Sequence, residues 1–298
     1  MKYYIGKNDI KSPRKLEISE SEFLACSQGQ RIIVLHLSLL ERLRHACENY
    51  KEIEEMVSKF HLERAIYSEF NLFIYRMQAS EFSRRLLSVV ASVRFYLNTL
   101  DSAVEKISND PNKRKESQRI RNKMHSENFG YRFMEEIRNH VSHRDTAVHF
   151  WNLGSEWDDR FEMLSYSSSY YFSSEYIMKN EIRFKEKILE EVKAKGGKVD
   201  LLAELRVYIS CACKINGSIN LICEKYLNKA MDSLSNISAR WSGGFNNESQ
   251  YGLYLISESD DKSKECNIPI LTDLNDYYKY IKEKMKNSGG MERFAIKL

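Results

Sequence analysis

The stretch "EEIRNHVSHRD", residues 135–145, holds the residue types in this chain that are best suited to chemistry. Arg138 offers a planar fork of N–H donors that matches the oxygen atoms of a phosphate group. His143, five positions later, titrates near neutral pH and can take up or release a proton. Asn139 follows the arginine directly and adds an amide. An arginine that binds an anion and a histidine that moves protons are residue types that can work together in catalysis.

The apolar residues around this stretch predict a helix over about residues 127–144, because they recur at steps of three and four. They are Phe129, Phe133, Met134, Ile137 and Val141. At about 100° per residue, the polar residues Arg138, Asn139, Ser142 and His143 share the sector opposite this apolar face. Arg138 and His143 lie about 140° and roughly 7.5 Å apart on such a helix. A compact site is therefore easier to build from two copies related by a two-fold axis, which predicts a homodimer.

Spacing alone does not single out this pair, because two other arginines precede a histidine by five positions. One pair is Arg31 and His36, in the apolar run "RIIVLH", and the other is Arg144 and His149, at the predicted helix end. An ordinary helix surface is also an alternative for Arg138, since Glu135 stands three residues before it and such pairs are common. His143 near a helix C-terminus would complement the helix dipole.

The rest of the chain predicts a mainly α fold with long antiparallel helices. Of its 298 residues, 42% are hydrophobic, 30% are charged and only three are prolines, which is typical of a globular protein with long helices. Apolar periodicity predicts one helix over about 66–107, with a polar gap near Ser80, and another over about 201–237. We expect a loop or a short exposed helix over 108–119 and a helix over 181–195 that ends at Gly196 and Gly197.

The stretch 146–178 is rich in aromatic residues and serine, and we predict a small β-hairpin insertion there. Its aromatic residues, among them Trp151, Trp157, Tyr170 and Tyr171, could stack on bases, although packing in the core or in a dimer is favoured. We predict a helical domain over 1–245 and a small α/β appendage over 246–298, with a strand in "QYGLYLIS" and a final helix capped by Thr272 or Asp273.

No secretion signal, membrane span or metal-ligand spacing is recognisable, so we expect a cytoplasmic protein that uses no metal or cofactor. The net charge of +4 is compatible with a polyanionic partner but does not identify one. We expect the six cysteines to be reduced thiols.

Two segments together resemble the HEPN superfamily, the helical ribonuclease domains of toxin–antitoxin, abortive-infection and CRISPR-associated systems. The first is "SVRFYLNTLDSAVEKI" (92–107), a long helix with Leu-Asp near its end, and the second is "ENFGYRFMEEIRNHVSHRD" (127–145). The polar residue that follows the arginine in the family pattern is Asn139 here, and "RIIVLH" lacks it. The resemblance covers about residues 66–145 and implies a HEPN-like helical bundle.

The resemblance implies a metal-independent endoribonuclease that leaves 2′,3′-cyclic phosphate ends, with a toxin or anti-phage defence role. Arg138, His143 and Asn139 would be catalytic. Residues that could support them are Asn98, Asp101, His140 and Ser142, although Asp101 could equally be a helix-surface acid. The implied partners are RNA, a second copy that completes the active site, and an antitoxin or another defence protein. The alternatives are a non-catalytic HEPN-like module that binds RNA or protein, and a helical scaffold without a role on RNA.

Overall fold

The computed structural model describes residues 1–7, 14–67, 72–143, 147–160, 163–180, 182–245, 251–259 and 265–286, and the side chains of 142–143, 153, 158 and 163–166 stand outside that description. Within these ranges the chain forms eight helices and seven strands, which confirms a mainly α fold. The helices are α1 (Glu20–Tyr67), α2 (Leu72–Ser108), α3 (Pro111–Glu127), α4 (Phe129–His143), α5 (Ser174–Lys179), α6 (Glu186–Ala194), α7 (Leu201–Gly244) and α8 (Leu274–Lys284). The strands are β1 (Lys2–Lys7), β2 (Arg14–Ile18), β3 (Phe150–Asp158), β4 (Met163–Ser173), β5 (Lys198–Asp200), β6 (Leu253–Glu258) and β7 (Cys266–Pro269).

Three long helices carry most of the core: α1, α2 and α7 contain 48, 37 and 44 residues. α1 begins with a capping box, in which the Glu22 N–H donates to Ser19 Oγ (3.2 Å) and the Ser19 N–H donates to Glu22 Oε2 (2.8 Å). The predicted single helix over 66–107 is wrong at its start, because Ile66 belongs to α1 and α2 begins at Leu72, and α2 passes through Ser80 without a break. By length and composition alone, one window of α1 could cross a membrane, and 44% of that window is buried in the protein.

The chain forms two compact units rather than the predicted domain and appendage. Among the described residues, the first unit comprises Met1–Glu41, Asp101–Lys115 and Ile219–Met285, and the second comprises Arg42–Leu100, Glu116–Ser218 and Lys286. The expected boundary near residue 245 does not separate the units, because strands from both ends of the chain share one sheet of the first unit.

That sheet has the strand order β2-β1-β6-β7, and all its neighbours are antiparallel. β6 lies between β1 and β7, and its alternate residues Leu253 and Leu255 are buried. The predicted strand in "QYGLYLIS" and the final helix are confirmed as β6 and α8. Asp273, one of the two expected caps, occupies the N-cap position, but its side chain makes no hydrogen bond to the helix.

The second unit contains the predicted β-hairpin, which pairs with β5 to form the sheet β3-β4-β5. One face of this sheet is core, with Tyr170, Phe172 and Val199 all buried. The helix predicted over 181–195 is α6, which begins later, at Glu186, and ends at Ala194. Gly196 and Gly197 follow its end as expected, with positive φ angles of 89° and 77° that suit glycine.

The long helices of the second unit are antiparallel, as expected. Cys47 Sγ lies 3.9 Å from Cys213 Sγ, and Arg206 donates from Nε and Nη2 to the two carboxylate oxygens of Glu54 at 2.7 and 2.8 Å. Residue numbers therefore rise along α1 as they fall along α7. All six cysteines are free.

The polar segment after α2 is helical. The expected loop or short exposed helix over 108–119 is instead the 17-residue helix α3, which begins at Pro111. Proline suits the first helical position, because that residue needs no N–H partner. The Asp110 carboxylate accepts from the Asn112 N–H at 2.8 Å and completes the start of the helix.

Candidate functional site

The motif helix α4 is held at its first turns by Arg132. Its guanidinium donates to both carboxylate oxygens of Glu191 on α6, at 3.2 and 2.5 Å. Its Nη1 also donates to the carbonyl oxygens of His125 and Ser126, at 2.8 and 2.6 Å, and so satisfies acceptors at the end of α3. One arginine thereby fixes α4 against α3 and α6.

A second polar cluster fixes the middle of α4. Glu135 accepts from Arg94 Nη1 of α2 at 2.7 Å and from the Tyr208 hydroxyl of α7 at 2.5 Å. Burial and the neighbouring Glu135 carboxylate raise the pKa of Tyr208 well above its ordinary value, so this hydroxyl keeps its proton. Sequence periodicity gave no sign of this cluster, because its three members lie on three different helices.

The Glu135 cluster also decides how Arg138 is paired. The alternative in which Glu135 and Arg138 form an ordinary helix-surface pair is wrong, since Glu135 bonds to Arg94 and Tyr208 instead. Arg138 Nη2 donates to Asn139 Oδ1 at 2.6 Å, and no carboxylate among the described residues pairs with Arg138. Arg138 is half-buried and Asn139 is exposed, so, within the part of the chain that the structure describes, the guanidinium keeps donors for a ligand.

Glu136 supports Asn139 from the previous turn. The Asn139 amide donates from Nδ2 to Glu136 Oε2 at 3.4 Å, and the other Glu136 oxygen accepts from the Lys185 backbone N–H at 3.3 Å. The amide oxygen of Asn139 is thereby oriented towards Arg138. The structure brings Arg138 and Asn139 together as a fixed pair at the polar side of α4.

His143 and Ser142 belong to the last turn of α4, but their side chains lie outside the described part of the structure. The α-helical rise sets the axial separation of Arg138 and His143 at roughly 7.5 Å. Asn98, on α2, is exposed. Asp101 is only 7% exposed, so the interpretation of it as a helix-surface acid is wrong. It belongs to the first unit, whereas α4 belongs to the second.

His140 faces the core rather than the polar side of α4. It is 2% exposed, and its ring centroid lies 5.7 Å from that of Phe184 and 6.1 Å from those of Phe172 and His149. The other rings of this cluster belong to β4 (Phe172), to the residue before β3 (His149) and to the segment after α5 (Phe184). The angular positions of residues on α4 alone therefore did not predict the burial of His140. His140 therefore packs behind the candidate site.

No protein-family model, curated protein or solved structure matches this chain.

In the other two arginine–histidine pairs, the histidine is buried or held by contacts with neighbouring residues. His36 is 1% exposed in the first unit, and burial lowers its pKa to about 4. Arg144 lies outside the described residues, while His149 Nδ1 accepts from the Ser173 N–H at 3.0 Å and its ring stacks on Tyr176 at 4.1 Å. Arg31 and His36 both lie on α1, where Arg31 is exposed and His36 is buried, whereas Arg138 and His143 both lie on α4. Among the described residues, no three His, Cys, Asp or Glu side chains are grouped as a metal site.

Proposed function

We propose that this protein is a HEPN-type endoribonuclease that cleaves RNA without a metal ion, in the cytoplasm and in a toxin or anti-phage defence role. The observation that carries the proposal is the hydrogen bonding of the Arg138 guanidinium. Its guanidinium is oriented by Asn139 and is not neutralised by Glu135, which pairs elsewhere. A half-buried arginine with spare donors is suited to a phosphate, since its fork matches two phosphate oxygens.

The reaction follows from the chemistry of the three motif residues. His143 takes the proton of a ribose 2′-OH, and the 2′-oxygen forms a bond to the adjacent phosphorus. Arg138 stabilises the added negative charge in the transition state, while Asn139 holds the guanidinium in place. The bond from phosphorus to the 5′-oxygen then breaks, that oxygen takes a proton from water, and His143 returns the proton that it took to the solvent. The products are a 2′,3′-cyclic phosphate and a 5′-hydroxyl.

The first test is cleavage of total cellular RNA by the purified full chain in excess EDTA. We expect wild-type protein to cleave, and Arg138→Ala and His143→Ala to lose at least 100-fold in rate, because each removes a transition-state contact (typically about 10²–10³-fold). Arg119→Ala and His45→Ala are matched controls, since both side chains are exposed on other helices of the same unit. Equal activity in all four variants would locate the cleavage elsewhere.

The proposed homodimer has its own test. The inactive Arg138→Ala and His143→Ala proteins are mixed, allowed to exchange subunits and assayed again. A site built from both copies predicts partial recovery of cleavage, because the mixed dimer contains one intact combination of arginine and histidine. No recovery in a sample that sediments as a mixed dimer would refute the shared site. RNA binding without cleavage by wild-type protein would instead favour a non-catalytic binding module.

A further inference from the structure

The end of α1 and the start of α2 expose a group of large apolar side chains. Each of them is between 54% and 68% exposed, and all lie in the last two turns of α1 or the first two turns of α2. They are Leu62, Ile66, Tyr67, Leu72, Phe73 and Met77. The two helices lie side by side, since the ring centroids of Phe60 and Tyr75 are 5.5 Å apart and Asn49 Nδ2 donates to Ser92 Oγ at 2.8 Å. The exposed side chains therefore belong to one antiparallel pair of helices.

On α1 these side chains point away from the sheet β3-β4-β5. His61 Nε2 lies 2.6 Å from Ser168 Oγ on β4, and Arg64 Nη1 donates to a carbonyl oxygen of β3 at 3.4 Å. These two residues mark the side of α1 that faces the sheet. At about 100° per residue, Leu62 and Ile66 lie roughly 130° and 170° from the middle of that side.

The same holds for α2. Tyr75 and Phe82 are buried, and the Phe82 ring stacks on Tyr170 of β4 at 4.0 Å. Because Tyr75 and Phe82 are two helical turns apart, they mark the side of α2 that faces the sheet. Phe73 and Met77 stand two residues on either side of Tyr75 and therefore lie about 160° away from it.

Both helices expose these residues on the same side of the pair. Ser168 and Tyr170, which α1 and α2 contact, are two residues apart on β4 and share one face of the sheet. Both helices thus pack on that face, and both direct their apolar ends away from it. We call this surface, formed by Leu62, Ile66, Phe73 and Met77, the outer helix face.

Ion pairs border the outer helix face along both helices. Two helical turns before it on α1, Lys51 Nζ lies 3.4 Å from the Glu55 carboxylate. Two turns after it on α2, Arg84 Nη2 lies 2.6 Å from the Glu81 carboxylate. Each border pair joins an acid to a base. A nucleic acid or an acidic lipid surface would instead be matched by an excess of lysine and arginine.

The exposed area is close to what a second copy needs to bury. The exposed fractions of the six side chains amount to more than three whole side chains, or about 550–700 Å² at roughly 150–200 Å² for each. The largest apolar patch on an ordinary monomer is about 300–600 Å². Two such faces together bury about 1,100–1,400 Å², which reaches the lower end of the range for specific complexes, about 1,200–2,000 Å².

We propose that the outer helix face is a self-association surface that packs against the same face of a second copy. A two-fold axis places apolar side chains opposite apolar side chains, and the balanced border does not oppose that pairing. The ends of α1 and α2 from two copies then form a contact of four helices.

This surface is separate from the candidate site on α4. Glu135, one turn before Arg138, contacts Arg94, and Arg94 follows Phe73 on α2 by 21 residues or roughly 31 Å. The outer helix face is therefore an interface in addition to the shared site proposed above. It does not depend on the proposed ribonuclease function.

The test is the molar mass of the full chain in sedimentation velocity at micromolar concentrations. One double variant carries Ile66→Glu and Met77→Glu, and a second carries Ile66→Lys and Met77→Lys. We expect each to have half the mass of wild-type protein, because like charges then face one another across the two-fold axis. Leu221→Glu is the matched control, since Leu221 is 74% exposed on α7 in the first unit. Its mass should equal that of wild-type protein.

A milder substitution gives the magnitude. Ile66→Ser should raise the dissociation constant of the self-association about 100-fold, because about tenfold is lost for each copy and the symmetric contact contains the residue twice. Leu221→Ser should change that constant less than twofold.

An equal mixture of the glutamate and lysine double variants identifies what occupies the face. Opposite charges then meet across the contact, so the mixture should recover the mass of wild-type protein. A different protein or a lipid surface as the occupant predicts no recovery. Wild-type protein with the mass of a monomer throughout, charged variants with the mass of wild type, a mixture without recovery, or flotation of wild-type protein with phosphatidylcholine vesicles would overturn the proposal.

The outer helix face and the nuclease can fail separately. Charged variants of half the mass, in a protein whose wild type never cleaves RNA, keep the face and reject the catalytic proposal. Cleavage that depends on Arg138 and His143, with the mass unaffected by the charged variants, does the reverse. Circular dichroism and thermal unfolding of each variant identify any loss of mass that is due to misfolding.

Discussion

Substitution of Tyr208 by phenylalanine tests how α4 is held in place. The change removes one oxygen atom and keeps the ring, which packs edge-on against Tyr131 at 5.4 Å. The lost hydroxyl is the donor to Glu135 Oε1 at 2.5 Å, and Tyr208 is 0% exposed. The Glu135 side chain is only 14% exposed, so water does not fully replace that donor.

The cost follows from the remaining partners of Glu135. A hydrogen bond to a charged group contributes about 1.5–3 kcal/mol to stability. The carboxylate keeps its bond to Arg94, whose side chain is 37% exposed and therefore screened by solvent. We expect Tyr208→Phe to lower the free energy of unfolding by about 2 kcal/mol, with little cavity penalty because the ring stays in place.

Urea denaturation measures this loss as a lower midpoint at an unchanged slope. Tyr280→Phe is the control, since Tyr280 is 57% exposed and its hydroxyl can bond to water. In a Glu135→Gln background the same substitution should cost about 1 kcal/mol or less, because the acceptor is then neutral. A cost below about 0.5 kcal/mol, or an equal cost in both backgrounds, would refute the role given to Glu135.

Two other predictions concern the first unit and the long helices. Burial lowers the pKa of His36 to about 4, while the unfolded chain takes up that proton near pH 6.5, so stability falls as pH drops between these values. From pH 7.5 to 5, His36 should lower the free energy of unfolding by about 2 kcal/mol. In His36→Phe the fall in the free energy of unfolding over the same pH range, obtained from urea midpoints, should be smaller by about 2 kcal/mol. The groups around the His36 ring are Tyr278, Lys282 and Asn220. An equal acid-induced loss in the variant would contradict this. Gly29→Ala should destabilise by about 1–3 kcal/mol, because its Cβ would lie 3.0 Å from the Ala230 carbonyl oxygen, whereas Gly217→Ala, with nothing within 4 Å, should stabilise by about 0.5–1 kcal/mol. Thermal unfolding of the two glycine variants should therefore show shifts of opposite sign, and shifts of the same sign would refute the packing argument.

The sequence predicted well those elements in which the spacing of the apolar residues matches the residues that are buried. α4 buries Phe133, Met134 and Ile137 at helical spacing, and the hairpin alternates between core and solvent, so both were located within a few residues. α3 was underestimated because it has almost no apolar face. Its buried residue is Ser117, and it is held by polar contacts such as that from Arg121 Nη1 to the Leu97 carbonyl oxygen at 3.2 Å.

The sequence alone did not predict contacts between residues that are far apart in the chain. β1 and β2 were not predicted, because β1 needs β6 as a neighbour and the two are far apart in the chain. In the candidate site, the residue types and spacing pointed to Arg138 and Asn139. The contact of Glu135 with Arg94 and Tyr208, and the burial of His140, depend on other helices and strands, so the sequence of α4 alone does not predict them.

The pairing of β1 with β6 also sets the order in which the chain can fold during synthesis. Lys2 pairs with Glu258, so β1 leaves the ribosome long before its partner exists. At the usual rate of roughly 5–20 residues per second, that delay is on the order of 10–50 s. The segments of the second unit up to Ser218 are all complete within this interval. Until β6 arrives, β1 is paired with β2 on one side and presents its other edge to neighbouring nascent chains. A chain cut short near residue 250 would have a complete motif helix and a strand with one unpaired edge.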